Sequence, residues 1–256
     1  MDEKDTEVNS WVWRESNGNK YLESELLKDA GIQHAFFTKA CYSNEPKDLK
    51  QTFKSSCSYH RTNQIHSSLI IEASEAKKDP WPEADGLISN KKNQSLWIYT
   101  SDCIPVLMGD NKGVNVAACH AGWKGICKNI IQKTVTKLTS KGVDRDSIVI
   151  ALGPSIGKEN YQVREDVLDA INNSLFGEGI DWLIERNIAF RVQNSNRFFL
   201  DLKEVAKYQI ISNGINPKRI SSCTLCTYEE EGLFNSWRRQ SIKTWQWSGI
   251  ISSEKD

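Results

Sequence analysis

The run "GVNVAACHAGWKG", residues 113–125, joins an alternating apolar strand to a turn of small residues. In an extended chain, Val116, Ala118 and His120 point to one side of the strand, and Cys119 points to the other. We therefore expect His120 at a strand end, where the apolar face stops and a loop begins, with Cys119 on the opposite side of the sheet.

A second run, "TSDCIPVLMGD" at residues 100–110, places Asp102 and Cys103 next to another apolar stretch. If these strand ends are neighbours in a sheet, the Cys103 thiolate and the His120 imidazole can share one ion. A catalytic zinc site has three protein ligands and keeps a fourth position open for water. His66 is favoured as the third ligand because it precedes a predicted strand. The alternatives are buried structural roles for all three residues or a third ligand drawn from His34 and His60.

Elsewhere, predicted strands and helices are interleaved without regular β-α-β units. Strands are predicted at "HAFFT", "SLIIEA", "SLWIYT" and "SIVIALG", and helices at "LESELLKDAG", residues 125–142, "REDVLDAINNSLF" and "LDLKEVAKYQIISNG". Residues 41–63 lack periodicity, so we predict poor order or a shortened loop at the rim of the site. No repeat or linker divides the chain, which favours one mixed α/β domain over residues 1–256, an α+β sandwich.

The composition limits the classes of partner. Lys+Arg and Asp+Glu each number 33, so the chain lacks the excess of basic residues that is typical of proteins that bind nucleic acid. The first ten residues are charged and polar, unlike a signal peptide, and no apolar run approaches the roughly 18 residues of a membrane span. Seven scattered cysteines are typical of reduced thiols. We therefore expect a cytoplasmic protein that binds neither nucleic acid nor membrane, and its oligomeric state stays open.

Six motifs occur in the order of one known family. They are "ADGLISN" (84–90), "TSDCIPVLMGD" (100–110), "CHAGWKG" (119–125), "LGPSIGKENYQV" (152–163), "LDLKEV" (200–205) and "CTYEEEGLFNSWRR" (226–239). On these motifs, which lie within residues 30–245, the sequence resembles the laccase-domain proteins. That family is also called polyphenol oxidoreductase or purine nucleoside phosphorylase-like, and a bacterial branch is described as a peptidoglycan editing factor.

The resemblance implies a metal site, a fold and an activity. The family's zinc ligands correspond to His66, Cys103 and His120, which are the residues that the spacing also favours. Its fold is a mixed α/β sandwich that looks like the catalytic domain of cytotoxic-necrotizing-factor toxins, which are cysteine hydrolases. Its members are assigned adenosine deamination and the phosphorolysis of adenosine, inosine, guanosine and methylthioadenosine. We therefore expect a nucleoside and phosphate as substrates.

The chain departs from the family pattern at residues expected to bind substrate. Lys39 stands in "FFTKACYSNEP" where the family usually has an arginine, and "SYRR" becomes "SWRR", which keeps Arg238 and Arg239. We expect Lys39 to bind substrate. Of the two arginines we expect one to bind phosphate and the other to pair with the acids at 229–231, and we assign Arg238 to the substrate. An ammonium lacks the bidentate fork with which a guanidinium matches phosphate. Deamination is therefore predicted to be better preserved than phosphorolysis.

Two aspartates near the expected ligands have open roles. Asp102 is a candidate for proton transfer, for orienting a ligand or for a turn, and we favour a catalytic role beside Cys103. Asp85, in "ADGL", is either a turn residue or a residue near the metal. Cys223 and Cys226 form a C-x-x-C without a second pair, so we do not expect a second zinc site there.

Two other functions compete with a zinc enzyme. Cys103 can serve as a nucleophile with His120 as its base, which gives an amidase or deamidase acting on peptidoglycan precursors. A non-catalytic, partner-binding protein with a vestigial metal site is the other alternative. A multicopper laccase mechanism fits poorly, because the chain has only four histidines.

Overall fold

Fifteen β-strands are present in the residues that this computed structural model describes, which are 11–53, 56–175 and 177–252. In chain order the strands are β1 (Trp11–Ser16), β2 (Asn19–Ser24), β3 (His34–Phe37), β4 (Ser58–His60), β5 (Ile70–Glu72), β6 (Gly86–Ile88), β7 (Gln94–Thr100), β8 (Ile104–Asp110), β9 (Val116–Ala121), β10 (Ile148–Leu152), β11 (Gln162–Arg164), β12 (Ala189–Arg191), β13 (Arg197–Leu200), β14 (Ile220–Ser222) and β15 (Gln246–Ile251). The strands predicted from the sequence all fall within this set.

The strands form two six-stranded sheets and a three-stranded sheet. The first sheet has the order β1-β2-β3-β15-β7-β4, and the second has the order β14-β10-β8-β9-β6-β5. The third sheet, β11-β13-β12, is antiparallel. The strands β8 and β9 lie in the middle of the second sheet, and every residue of both is buried. Such strands, covered on both faces, hold the residues at their ends firmly in place.

The α-helices of the described residues are mostly short. They are α1 (Glu25–Asp29), α2 (Pro46–Leu49), α3 (Trp123–Cys127), α4 (Ile130–Ser140), α5 (Glu165–Leu175), α6 (Ile180–Glu185), α7 (Leu202–Ser212) and α8 (Trp237–Gln240). In α4, Ile131, Val135 and Leu138 recur at helical spacing and pack against the second sheet. In α7, the Asp201 side chain accepts a hydrogen bond from Glu204 N and so caps the N-terminus of the helix.

The alternation along β9 separates two layers of the core. Val116 and Ala118 pack between the two large sheets, whereas Ala117 and Cys119 pack between the second sheet and the helices. The predicted alternation is therefore confirmed, and so is a mixed α/β sandwich. Burial raises the pKa of the Cys119 thiol to about 12, which keeps this side chain neutral within the apolar core.

The outer face of the first sheet is covered by a segment that the sequence did not predict to be packed. Leu49, Phe53 and Cys57 are buried in the same cluster as Trp97 and Trp247. The segment contains α2, two short 3-10 turns and β4, so it forms a packed cover instead of a loose loop. Its few apolar residues are spaced irregularly, which left no periodic signal. Residues 54 and 55 lie outside the described part.

Two predicted helices have different bounds in the structure. The helix over residues 125–142 is divided into α3 and α4, because Asn129 has a φ of +61°, which an α-helix does not allow. Helix α1 begins at Glu25, since the preceding residues pair with β1 in a hairpin. No helix in the described ranges is long and apolar enough to cross a membrane. The seven cysteines are free thiols.

Candidate metal centre and its cavity

Three side chains form a cluster of metal-ligand type in the described part of the chain. The ligand atoms of His66, Cys103 and His120 lie within 4.8 Å of one another. The rings of His66 and His120 meet edge to face, with centroids 4.7 Å apart. His120 is buried, Cys103 is partly buried and His66 is exposed, so the cluster opens to solvent on the His66 side. The structure thus brings together the three ligands that the sequence predicts.

The pairing of β8 with β9 brings Cys103 to His120. The strands are antiparallel, and Ile104 pairs with Ala121. The start of β8 therefore lies beside the end of β9, and Cys103 faces Gly122 across the two strands. Cys103 precedes β8 and His120 lies near the end of β9. The two strand ends are therefore neighbours, as the sequence predicts.

Gly122 is needed because the ligands approach its backbone closely. A Cβ atom at this position would lie 2.8 Å from Cys103 Sγ and 3.3 Å from His66 Cδ2. Its φ of −78° is open to any residue, so space and not backbone conformation selects glycine here. The small-residue turn after β9 therefore leaves the room in which the cluster assembles.

Asp85 joins His120 to the loop that carries His66. Its Oδ1 accepts hydrogen bonds from His66 N (3.0 Å) and His120 Nδ1 (2.8 Å). Its Oδ2 accepts from Ile65 N, Ser67 N and Ser67 Oγ at 3.2, 2.6 and 2.7 Å. Asp85 therefore holds a proton on Nδ1 of His120, and Nε2 is the ring nitrogen that would bind a metal. Of the two roles open for Asp85, the structure supports the one beside the candidate metal ligands.

The charges of this cluster depend on one another. Burial opposes the ionised form of Cys103, but His120 and His66 outweigh it and lower the pKa of the thiol to about 6. Burial likewise opposes the imidazolium of His120, yet Cys103 and Asp85 raise its pKa to about 9. Asp85 is buried too, and its bonds to His120 and Ser67 lower its pKa to about 2. Without a metal, the cluster therefore holds a thiolate beside an imidazolium at neutral pH.

A cavity of about 540 Å³ lies over the cluster. Its volume is in the range of sites that hold small molecules. The lining includes the three ligands, two cationic residues and five aromatic residues: Arg238, Lys243, Tyr99, Trp123, Tyr161, Trp237 and Trp245. Asp102 supplies the carboxylate of the lining within the described residues. The walls thus combine aromatic surface with positive charge above the candidate metal centre.

Comparison with known proteins identifies the family. The family described as multi-copper polyphenol oxidoreductase laccase matches this chain over residues 27–254. The chain belongs to that family. The resemblance inferred from the six motifs is therefore confirmed over most of the sequence.

Relatives and solved structures agree with this assignment. The purine nucleoside phosphorylase of Synechocystis sp. is 34% identical over 258 residues, which cover 94% of this chain and 97% of the relative. The crystal structure of the hypothetical protein YfiH of Bacillus licheniformis matches with a TM-score of 0.80 and 26% identity, covering 94% of this chain and 99% of that one. YlmD from Geobacillus stearothermophilus shares the fold, with a TM-score of 0.79, 21% identity and coverage of 95% and 99%.

In this laccase-family protein, the carboxylate of Asp102 is bonded to the C-terminal segment. Its Oδ1 accepts from Thr227 Oγ1 at 2.6 Å, and its Oδ2 accepts from Arg238 N at 2.7 Å. The Asp102 carbonyl accepts from Ile156 N at 3.0 Å. Asp102 lines the cavity beside Cys103, as predicted, but both of its carboxylate oxygens already accept hydrogen bonds from other residues of the protein. Proton transfer at the metal therefore gains no support from this geometry.

The two arginines of the "SWRR" motif have different surroundings. Arg239 donates to the carbonyls of Thr227, Tyr228 and Phe234, and its Nε lies 3.7 Å from Glu231. It therefore holds a loop, as one of the pair was expected to do. Arg238 lines the cavity and donates through Nη1 to carbonyl oxygens at 2.8 and 3.5 Å.

Lys39 is the predicted substrate-binding residue that the structure does not bring to the cavity. Its Nζ donates to the carbonyl of Glu231 at 2.6 Å, and Lys39 is not among the residues that line the cavity. The prediction assumed that the segment after β3 reaches the site. Instead, that segment turns onto the outer face of the first sheet, where Cys41 is buried.

Several cavity residues escaped the sequence analysis. Tyr99, Trp245 and Lys243 lie outside the motifs, and they reach the site because the end of β7 pairs with the start of β15. Tyr161 lies within the "LGPSIGKENYQV" motif, which was the signal that could have identified it. Cys226 Sγ accepts a hydrogen bond from Gly157 N at 3.1 Å, and the expectation that the C-x-x-C holds no second zinc stays a prediction.

Proposed function

We propose that this protein is a cytoplasmic, zinc-dependent enzyme that acts on purine nucleosides. The observation that carries the proposal is the cluster of His66, Cys103 and His120 at the base of an aromatic, positively charged cavity. The names of the relatives point to the same substrate class, because the Synechocystis protein is a purine nucleoside phosphorylase. Aromatic walls suit a purine, and cationic residues suit a phosphate.

The donor set fits zinc better than a copper cluster. Imidazole and thiolate are both ligand types that zinc binds, and three protein ligands leave its fourth position open. The other histidines are engaged elsewhere: His34 accepts from Ser24 N at 2.8 Å, and His60 Nε2 lies 2.7 Å from Ser58 Oγ. A multicopper site needs further histidines near the first. The name of the family therefore does not describe the chemistry that we propose.

Different residues of the cavity would bind the phosphate, the polar atoms and the base of the substrates. When bound, a zinc ion with three protein ligands supplies a Lewis acid and can lower the pKa of water to about 7. Arg238 has one nitrogen on backbone carbonyls, and its remaining N–H groups are available to phosphate. Burial raises the pKa of Tyr161, so its hydroxyl remains protonated and can donate to a substrate oxygen or nitrogen. The aromatic side chains hold the base.

We propose phosphorolysis as the principal reaction, with deamination of adenosine as a second one. The prediction that deamination is better preserved relied on Lys39 in the phosphate site and on Asp102 as a proton carrier. Lys39 lies outside the cavity lining, and both oxygens of Asp102 are bonded to protein. The argument for that order therefore loses its physical basis.

Metal analysis and a product assay together test this proposal. Purified protein should contain one zinc per chain, and replacing His120 or His66 by alanine should remove both the zinc and the activity. The assay incubates adenosine and inosine with and without phosphate, and it measures ribose 1-phosphate, free base and deaminated product. Full activity in protein that has been stripped of metal, or no turnover of any purine nucleoside by zinc-loaded protein, would overturn the proposal.

A second candidate function is supported by the charge state of the cluster. The Cys103 thiol has its pKa lowered to about 6, and His120 lies beside it, which is the arrangement of a cysteine nucleophile and its base. An amidase acting on peptidoglycan precursors would use this pair without zinc. A muropeptide precursor incubated with metal-free protein separates the two functions, because only the amidase would be active and would be inhibited by added zinc.

A further inference from the structure

Trp237 differs from the other aromatic residues of the cavity because its ring meets no other ring or cation in the part of the chain that the structure describes. It is 53% exposed although it lines the cavity. The rings of Tyr99 and Trp245 pack together with centroids 5.4 Å apart, and the guanidinium of Arg238 lies 5.2 Å from the Tyr161 ring. Within the described ranges, no aromatic ring or cation lies against Trp237. A large aromatic surface is therefore open to a ligand at this point.

The backbone next to Trp237 is fixed from within the cavity. The amide that joins Trp237 to Arg238 donates its N–H to Asp102 Oδ2 at 2.7 Å. The other oxygen of Asp102 accepts from Thr227 Oγ1 at 2.6 Å, so the carboxylate is locked in orientation. Asp102 itself has a φ of +90°, which a residue with a side chain adopts only when its surroundings enforce it. The bond therefore sets where the indole ring stands over the cavity.

We propose that Trp237 is the surface on which the base of the substrate stacks, and that Asp102 is a positioning residue acting through the Trp237–Arg238 peptide. The inference rests on the proposed function, since it assigns the purine to one wall of the same cavity. An aromatic side chain binds any base through its π face, so this wall supplies affinity for purines in general. Arg238, on the same peptide, then places phosphate next to the bound nucleoside.

Calorimetric titration with inosine tests the role of Trp237, first on zinc-loaded and then on metal-free protein. Trp237→Ala should raise the Kd by about tenfold or more, because stacking supplies much of the affinity for a base. Trp237→Phe keeps a ring and should bind inosine more tightly than the alanine variant. Ile242→Ala is the matched control, since Ile242 is 58% exposed in the same segment but does not line the cavity. Its Kd should equal that of the wild type.

Replacement of Asp102 separates positioning from proton transfer. An asparagine can still accept from Arg238 N through its carbonyl oxygen and can donate to the Thr227 hydroxyl, but it carries no charge. Asp102→Asn should therefore resemble the wild type more closely than Asp102→Ala does, in both the KM for inosine and the kcat. Asp102→Ala should raise the KM as Trp237→Ala does, because it releases the Trp237–Arg238 peptide and so displaces the ring that Trp237→Ala removes.

The outcomes distinguish this inference from the function on which it rests. Wild-type protein that binds no purine nucleoside would overturn both. Wild-type protein that binds inosine, together with an unchanged Kd for Trp237→Ala, would overturn the inference alone. A normal Kd with a lost kcat in Asp102→Asn would show that the negative charge of Asp102 is required, which contradicts its role as a positioning residue.

Discussion

Asp85 Oδ1 lies 2.8 Å from His120 Nδ1, and the Asp85 carbonyl accepts a hydrogen bond from His120 N, also at 2.8 Å. One aspartate thus fixes both the backbone and the ring of a candidate ligand. The same carboxylate accepts three backbone N–H groups from residues 65–67, which curve around it with a φ of +57° at His66. Two ligands from distant parts of the sequence therefore share one anchor.

Replacing Asp85 by asparagine should weaken zinc binding by about 10–100-fold, the usual effect of losing a carboxylate that orients a histidine ligand. An asparagine has no negative charge, and its NH2 group would face N–H or O–H donors that now donate to the carboxylate, so at least one of these hydrogen bonds is lost. Competition with a chelator, at constant pH, measures the change in affinity.

Asp110→Asn is the control for this change. Asp110 is also buried, and it accepts from Lys112 N, Val114 N and the Asn115 side chain, far from the cavity lining. Its replacement can lower the free energy of unfolding but should leave the affinity for zinc unaltered. Equal losses of zinc affinity in both variants would mean that Asp85 acts only on the fold.

Gly122→Ala should reduce zinc occupancy while the protein remains folded. The added methyl group would lie 2.8 Å from Cys103 Sγ, so the thiol has to move away from the histidines. Gly232→Ala is the control, because no atom lies within 4 Å of the position that its Cβ would occupy and its φ is not in the left-handed region. Metal analysis and circular dichroism of both variants decide between a local and a global effect. Normal zinc content in Gly122→Ala would contradict the packing argument.

The Cys103 thiol of metal-free protein should react with iodoacetamide with a midpoint near pH 6. Burial opposes the thiolate, but His120 and His66 lower the pKa of the thiol to about 6, so it is ionised above that pH and protonated below it. Mass spectrometry locates the modified residue. Cys127, also partly buried, has its pKa raised by burial and should stay unmodified at pH 7. Zinc should protect Cys103, and a reaction that begins only above pH 8 would contradict the charge state derived for the cluster.

Local patterns predicted most of the sandwich. The alternation from Val116 to His120 correctly predicts which side chains lie on each face of β9, because successive side chains of a strand point to opposite faces. The "NG" at residues 17 and 18 joins β1 and β2 in a hairpin that the analysis passed over. The packing of Leu49, Phe53 and Cys57 could not be predicted, because they cover an aromatic surface that forms only when the sheet folds.

The candidate site was predicted unevenly for the same reason. Cys103 and His120 follow from strand ends that happen to be neighbours, whereas the spacing alone could not select His66 from three histidines. Its position depends on Asp85, which holds the loop from 19 residues away in the sequence. The role of Lys39 was predicted only from the type of residue expected after β3. The path of the chain beyond β3, which the sequence does not reveal, places its ammonium on the Glu231 carbonyl.

Arg238→Gln should raise the KM for phosphate in phosphorolysis by roughly ten- to a hundredfold, because a charge-assisted hydrogen bond contributes about 1.5–3 kcal/mol. The backbone N–H of residue 238 remains, so the bond to Asp102 and the position of Trp237 should persist. The KM for inosine should therefore change little. Lys39→Gln is the matched control, since Lys39 carries the same charge but donates to the Glu231 carbonyl away from the cavity lining. Steady-state kinetics at varied phosphate measure both variants. A larger rise in the phosphate KM for Lys39→Gln than for Arg238→Gln would contradict this assignment. It would indicate that phosphate binds at the segment after β3, as the sequence predicted.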